Sequence, residues 1–371
     1  MRIVDKGGRL LAVYLQTLKI KVDNLGKNFK LFFLICSTFW IKEKNKMKVI
    51  IPVAGIGTRL RPHTYSVPKV LLQVAGKPIL AHILDIVVQL KLSEVVLIIG
   101  FLGDQVAEYV KKNYKFRCKF IQQKELKGLG FAINMASEEM RDDEPVLIIL
   151  GDTVFEADLL PVIDGEYDVL GIKKVADPRR FGIVEMKGKF VKKLIEKPEK
   201  PTSNLAVVGV YYIKSTRMFK ECLREIITKK IMTKNEYQLT DALQLMIDRG
   251  VKFRTFNIAG WYDCGKSETL LETNRQLLAK MRLKGKLKTS LIIPPVFVSK
   301  TAQVKNCILG PNVSVADKAI LRNSIVRNSI IGEKACVEDS TLDSSLIGNC
   351  AQIKGAFHRL NVGDESEIDL I

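Results

Sequence analysis

The sequence predicts an α/β chain in two parts: a Rossmann-like, mainly parallel sheet covered by helices on both faces, then a short left-handed parallel β-helix. Three observations predict it. From Lys48 onward, apolar β-branched runs alternate with amphipathic stretches, the pattern of buried strands and the helices that cover them. The first run, Val49 to Val53, passes directly into Gly55 and Gly57, a strand ending in a glycine turn. After Lys288, aliphatic residues recur six apart behind a glycine, the spacing of hexapeptide coils.

The 371 residues suffice for two full cores, and a hydrophobic content of 47% with 27% charged residues is that of a globular protein. The net charge is +19, but residues 1–46 hold ten Lys or Arg against three Asp or Glu, so +7 of it lies in that short segment. The rest is spread widely and no aromatic-rich basic motif appears, so no nucleic-acid partner is expected. Seven cysteines, at 36, 118, 222, 264, 307, 336 and 350, show no metal spacing and read as reduced thiols of a cytoplasmic protein.

Residues 1–46 read as a separate N-terminal extension. Phe32 to Ile41 is apolar but too short to span a bilayer, and no small-residue cleavage site follows it, so no membrane partner is expected. Met47 directly precedes the first strand and is the expected start, with residues 1–46 a start-site artefact; a membrane-surface extension is the alternative. The first domain is then 47–288 and the second 289–371.

The glycine turn is followed by Thr58, Arg59 and, ten residues after Arg59, Lys69. Glycine lets a backbone approach phosphate oxygens with its N–H groups, and the hydroxyl and cations add donors and charge, so the loop suits a polyanion. It is not a P-loop, and Leu60 stands where a dinucleotide fingerprint has its third glycine. Further strands are expected at Val95 to Gly100, Phe116 to Gln122 and Val146 to Leu150, with a helix over Asp104 to Lys112. Ligands gather at the carboxyl ends of such strands, where Gly151-Asp152 also falls. A carboxylate there suits Mg²⁺, a hard cation that takes few protein oxygens alongside phosphates and water, although Gly-Asp after a strand is also an ordinary turn. Asn235 to Asp241 is expected to open a helix carrying Leu239, Leu243, Met246 and Ile247, with Asp241 serving helix N-terminal electrostatics; Ser267 to Met281 forms another. Cys264 is expected to fill space rather than act as a nucleophile.

In the second part, Leu309-Gly310 with Val315, Ile331-Gly332 with Val337 and Ile347-Gly348 with Ile353 give the repeat, and Val313, Ala335 and Ala351 stand between. Such a β-helix buries its core by stacking and leaves an end for a partner subunit, so a homo-oligomer is expected. His358, its only histidine, reads as structural.

The string Gly55-Ile56-Gly57-Thr58-Arg59-Leu60-Arg61-Pro62 with Pro68-Lys69 resembles the sugar-1-phosphate nucleotidyltransferases, or nucleotide-sugar pyrophosphorylases. So do Arg180-Phe181-Gly182, Glu196-Lys197-Pro198, Ser203 to Tyr211, and Gly260-Trp261-Tyr262-Asp263-Cys264-Gly265, and the resemblance covers residues 47–371. It implies that Ala54, Gly55, Gly57 and Thr58 bind a nucleoside triphosphate, that Arg59 and Lys69 serve its phosphates, and that Gln122 or Gln123 with Gly128 reads the base. It implies sugar contacts from Gly182, Glu196, Gly209, Tyr211 and Glu236, a sugar-phosphate contact from Lys197, and Mg²⁺ on Asp152 and Asp263. Arg59, Lys69 and Lys197 would then be the catalytic cations. Thr153 stands where relatives often carry an amide or acid. For Gln122 to Gly130, a surface loop ahead of a helix is the plainer alternative.

The implied reaction is attack by a sugar 1-phosphate on the α-phosphorus of a nucleoside triphosphate. Tyr237 to Ala242, the Trp261 string, Leu270 to Arg275 and the β-helix look most like long-form glucose-1-phosphate thymidylyltransferase. Uridylyl transfer to glucose 1-phosphate and guanylyl transfer to mannose 1-phosphate follow. A non-catalytic scaffold relative is the alternative of another class.

Overall fold

The computed structural model describes residues 47–90, 92, 94–281 and 287–355. The expectations placed on residues 1–46, Cys36 and His358 lie outside the described residues.

Four parallel strands form the centre: β1 (Lys48–Pro52), β2 (Glu94–Ile99), β3 (Cys118–Gln122) and β4 (Val146–Ile149), in the order β4-β1-β2-β3. Side chains alternate across a strand, so the continuous apolar run of β1 feeds two cores. Val49 and Ile51 join Leu97 and Leu147 on one face, under α1 (Ile79–Gln89) and α2 (Gly103–Asn113). Ile50 joins Val96, Ile98 and Ile148 on the other, with Ala132 and Ile133 of α3 (Leu129–Met135). In α1, Ile79, Leu80, Ile83, Leu84 and Val87 recur at helical spacing and are buried.

Beyond β4 most of the strand pairing is antiparallel. After β5 (Thr153–Glu156) come β6 (Asp168–Lys174), β7 (Gly182–Lys187), β8 (Phe190–Glu196) and β9 (Leu205–Ile213). β9 runs antiparallel to β4, β6 and β7, and β8 to β7. Only Gly188 and Lys189 link β7 to β8, and so short a connection admits no parallel crossover. The helices α4 (Thr216–Thr228) and α5 (Leu239–Asp248) pack on the second core. β10 (Phe253–Asn257) pairs parallel with β6, and β11 (Gly260–Asp263) forms a separate antiparallel ribbon with β5. Helix α5 starts at Leu239 rather than at Asn235, because Lys234 and Asn235 take left-handed φ of 55° and 61° and Thr233 bridges Glu236 in a turn.

The last helix, α6 (Ser267–Lys280), leads to a left-handed parallel β-helix of three ladders that begin at Leu291, Val296 and Gln303. Stacked partners lie a whole coil apart, as in Ile308 on Ile325 and Ile325 on Thr341. Steps of five or six residues therefore carry each aliphatic to the next side of the coil, so that Leu309, Val315 and Leu321 stack under Val326, Ile331 and Val337, all fully buried. Asn306, Asn312, Asn323 and Asn328 turn the corners at positive φ, which asparagine tolerates. The Asn274 side chain ties the two parts together: it accepts from Ala75 N–H at 2.9 Å and Ser314 O–H at 2.6 Å, and donates to Asn312 O at 3.2 Å. Among the described residues, no helix is long and apolar enough to cross a membrane.

Candidate active site

Parallel strands end on one edge, so the segments after β1, β2, β3 and β4 converge there. Gly57 has φ 71°, and a Cβ on it would lie 3.0 Å from Lys69 Cβ and 3.1 Å from Thr64 Cγ2. Glycine is thus needed both for the turn and for the approach of Lys69. A Cβ on Gly55 would meet nothing within 4 Å among the described residues. Three short 3₁₀ turns follow, at Thr58–Leu60, His63–Tyr65 and Lys69–Leu71, and they leave Thr58 and Arg59 exposed. Ala54 is buried, its carbonyl packed on Gly100 so closely that a Cβ there would lie 2.5 Å away.

Lys69 is buried, and its Nζ donates to Asp152 Oδ2 at 2.9 Å. Asp152 also accepts from Thr153 Oγ1 at 3.2 Å. Desolvation pushes the Asp152 carboxyl up, but the Lys69 charge and the hydrogen bonds from Lys69 and Thr153 outweigh it and hold the pKa below its ordinary value. Thr153 opposes Asp263 across the β5–β11 ribbon, which brings the two aspartates side by side although 111 positions separate them. Asp263 Oδ1 accepts from Gly265 N–H at 2.9 Å, and Oδ2 lies 3.5 Å from Arg180 Nη2. Arg59 reaches the same turn, its Nη2 3.4 Å from where a Gly265 Cβ would stand.

The two carboxylates retain lone pairs, and no cluster of three or more His, Cys, Asp or Glu occurs among the described residues. Such a donor set fits Mg²⁺, which keeps waters and substrate oxygens, better than a metal caged by protein alone.

The antiparallel half brings up the expected sugar residues. Gly182 opposes Glu196 in the β7–β8 ladder, and a Cβ on it would lie 3.0 Å from Thr240 Cγ2. Glu196 Oε2 accepts from Thr240 Oγ1 at 2.9 Å, while Lys197 Nζ lies 3.2 Å from Glu196 Oε1. Gly209, at φ 80°, makes a bulge in β9 and lies against Leu150. Tyr211 is buried, and burial together with the charges of Glu196 and Asp152 pushes its phenol up. Trp261 packs edge-on to Phe181 at 4.7 Å, and its buried indole N–H has no partner among the described groups.

On the other side, Gln122 Nε2 donates to Gly100 O at 3.2 Å, and the buried Gln123 donates to Glu125 O at 2.9 Å. Gly128, at φ 104°, sits where a Cβ would fall 2.6 Å from Tyr237 O. Tyr237 N–H donates to Lys127 O at 2.9 Å, and its carbonyl accepts from Gly130 N–H at 2.8 Å. Glu236, exposed in the adjoining turn, accepts from Gln238 Nε2 at 2.9 Å. These contacts join Gly128 to the turn that carries Glu236 and Tyr237.

Reading motifs alone gave no individual role to Arg180, Gln238 or Thr240, although each stood inside a quoted string. Asp241 does lie in the first turn of α5, and its Oδ1 accepts from Thr233 Oγ1 at 3.1 Å. Its Oδ2 is buried without a partner among the described residues; desolvation, and then the charge of Glu196, push its carboxyl up against the hydrogen bonds from Thr233 and the Gln238 backbone. Cys264 is fully buried, and burial pushes its thiol up to about 12, as suits a space-filling residue. A separate cavity of about 900 Å³ opens between α2 and the β-helix; none of the expected site residues lines it.

Residues 48–280 match the nucleotidyl transferase family. Among curated relatives, the bifunctional protein GlmU of Methanocaldococcus jannaschii is 36% identical over 255 residues, 67% of this chain and 59% of that protein. A glucose-1-phosphate thymidylyltransferase of Streptomyces antibioticus is 30% identical over 361 residues, 87% of this chain and 99% of that protein. Among solved structures, a Bacillus anthracis protein described as a glucose-1-phosphate thymidylyltransferase, in complex with a sucrose, aligns at TM-score 0.56 and 25% identity, over 65% of this chain and 98% of that one. A UDP-glucose pyrophosphorylase complexed with UDP-glucose shares the fold at TM-score 0.55 and 24% identity, over 64% of this chain and all of that one.

Proposed function

The chain belongs to the nucleotidyl transferase family, and on that premise we propose that it makes dTDP-glucose and pyrophosphate from dTTP and glucose 1-phosphate. The observation that carries the reading is the juxtaposition of Asp152 and Asp263 with Lys69, Arg59 and Arg180 at the glycine turn. Two carboxylates ringed by cations suit a reaction between two phosphates. The choice of thymidylyl rests on the likeness to the Streptomyces antibioticus enzyme, which runs along 99% of that protein.

An oxygen of the sugar phosphate attacks the α-phosphorus, the bond from that phosphorus to the β-phosphate oxygen breaks, and pyrophosphate leaves with the electron pair. The attacking oxygen is already ionised, so no general base is needed. Catalysis is positioning and charge neutralisation. Lys197 anchors the sugar phosphate, Arg59 meets the leaving pyrophosphate, and Lys69 balances charge beside Asp152. The backbones of Gly55 and Gly57, with Thr58, cradle the triphosphate. Gln122 or Gln123 and Gly128 read the base, while Gly182, Glu196, Gly209, Tyr211 and Glu236 surround the sugar. Mg²⁺ on Asp152 and Asp263 would supply further neutralisation of the phosphates. A cytoplasmic location and a homo-oligomeric state belong to the same proposal.

The test is pyrophosphate release from dTTP, UTP, GTP, ATP and CTP, each offered with Mg²⁺ and glucose 1-phosphate. Release with dTTP above UTP is expected. Preference for another nucleotide overturns the base assignment alone. No release, including with mannose and N-acetylglucosamine 1-phosphates, overturns the enzyme reading in favour of a scaffold.

A further inference from the structure

Arg180 stands where the two halves of the site meet. The carbonyl of its neighbour Phe181 accepts from Lys197 N–H at 3.1 Å, and Gly182 opposes Glu196, so its backbone belongs to the sugar half. Its guanidinium crosses to the metal half, with Nη2 3.5 Å from Asp263 Oδ2. The adjacent Arg179 is occupied elsewhere, with Nε at 2.8 Å and Nη2 at 2.7 Å from the two Asp177 oxygens. Of this pair, only Arg180 faces the carboxylates.

The contact with Asp263 is loose. It is long for a charged hydrogen bond, and the Arg180 side chain is 51% exposed. Asp263 does not depend on it, since Gly265 N–H holds Oδ1 and the β5–β11 ladder fixes the strand. The guanidinium is therefore free to exchange one oxyanion for another. Phosphate offers a better match, because the planar fork can pair with two of its oxygens.

We propose that Arg180 is a further catalytic residue, whose guanidinium leaves Asp263 for phosphate oxygens when both substrates are bound. It then lies between the sugar phosphate at Lys197 and the α-phosphate near Asp263, where two anions must approach each other. Leaving Asp263 also removes a positive charge from the carboxylate that would hold the metal. The inference rests on the nucleotidyl-transfer reading above.

The test compares wild type, Arg180→Ala and Arg180→Lys in two measurements. Mn²⁺ binding to the substrate-free chain, followed by electron paramagnetic resonance, is expected to be unchanged or up to about 5-fold tighter in Arg180→Ala, as removal of a loose competing charge allows. Pyrophosphate release at saturating dTTP, with glucose 1-phosphate varied, is expected to show kcat down about 10²-fold in Arg180→Ala and only partly restored in Arg180→Lys. Wild-type kcat in Arg180→Ala overturns the proposal. So does loss of Mn²⁺ binding together with activity, which marks a prop for Asp263. No release by the wild type with any substrate pair overturns the enzyme reading itself, and this proposal with it.

Discussion

Replacing Asp152 by Asn removes one of the two adjacent carboxylates and strips Lys69 of its counter-ion. The ion pair is 2.9 Å long, with the Lys69 side chain 9% exposed and that of Asp152 52% exposed. At that separation Coulomb's law gives about 1.4 kcal/mol in bulk water and about 6 kcal/mol at an effective dielectric of 20. Because half of Asp152 is open to solvent, screening draws the net effect toward the lower figure, and a loss of about 1 to 2 kcal/mol is expected. On the proposed role of Asp152 in holding Mg²⁺, turnover should fall much further, on the order of 10² to 10³-fold, since one of the two carboxylates offered to the metal disappears while Asp263 remains. Urea unfolding followed by circular dichroism reads the first effect and pyrophosphate release the second. A variant that keeps turnover within tenfold of wild type would refute the metal-site assignment. An unchanged unfolding midpoint would show that Lys69 does not rely on Asp152. In the double variant Asp152→Asn/Lys69→Met part of the lost stability should return, because no unpaired ammonium is then left in the buried position.

Two further outcomes follow from buried polar groups. Asn274→Ala removes three hydrogen bonds at a residue 1% exposed and leaves Ala75 N–H, Ser314 O–H and Asn312 C=O without that partner. A loss of about 2 to 3 kcal/mol in urea unfolding is expected, and a midpoint equal to wild type would show that the seam between the two parts is held elsewhere. Asp241→Asn tests the sign of a perturbed acid. The Asp241 pKa is raised above its ordinary value of 3.8, so the folded chain binds this proton more tightly than the unfolded chain does. Wild type should therefore lose stability relative to the variant as pH rises through 3.8, with the difference levelling off above the folded pKa. A difference independent of pH from 3 to 7 would contradict the burial of that carboxyl.

Much of the fold was legible because local patterns carry it. The β-branched run of β1, the helical stripe of α1 and the six-residue aliphatic spacing each report burial through a short-range period. Strand order is not short-range. The reversal after β4 depends on which edge accepts β9, and no stretch of residues states that. The late start of α5 is intermediate: Lys234 and Asn235 are ordinary residues by composition, and their left-handed backbone follows from the turn that docks Tyr237 against Gly128.

The candidate site divides along the same line. The sequence by itself supplied the chemistry: the glycine turn, the cations Arg59, Lys69 and Lys197 and the carboxylate Asp263, each within a string that resembles one family, and Asp152 at the end of an apolar run. Only the tertiary structure decided how they face one another. Lys69 meets Asp152 across 83 positions, Thr153 sets Asp263 beside Asp152 through the β5–β11 register, and Arg180 turns toward Asp263 while Arg179 turns toward Asp177. Residue type fixes charge and hydrogen-bonding capacity, which are local properties. A partner is fixed by where packing closes long loops, and that depends on every layer of the core at once.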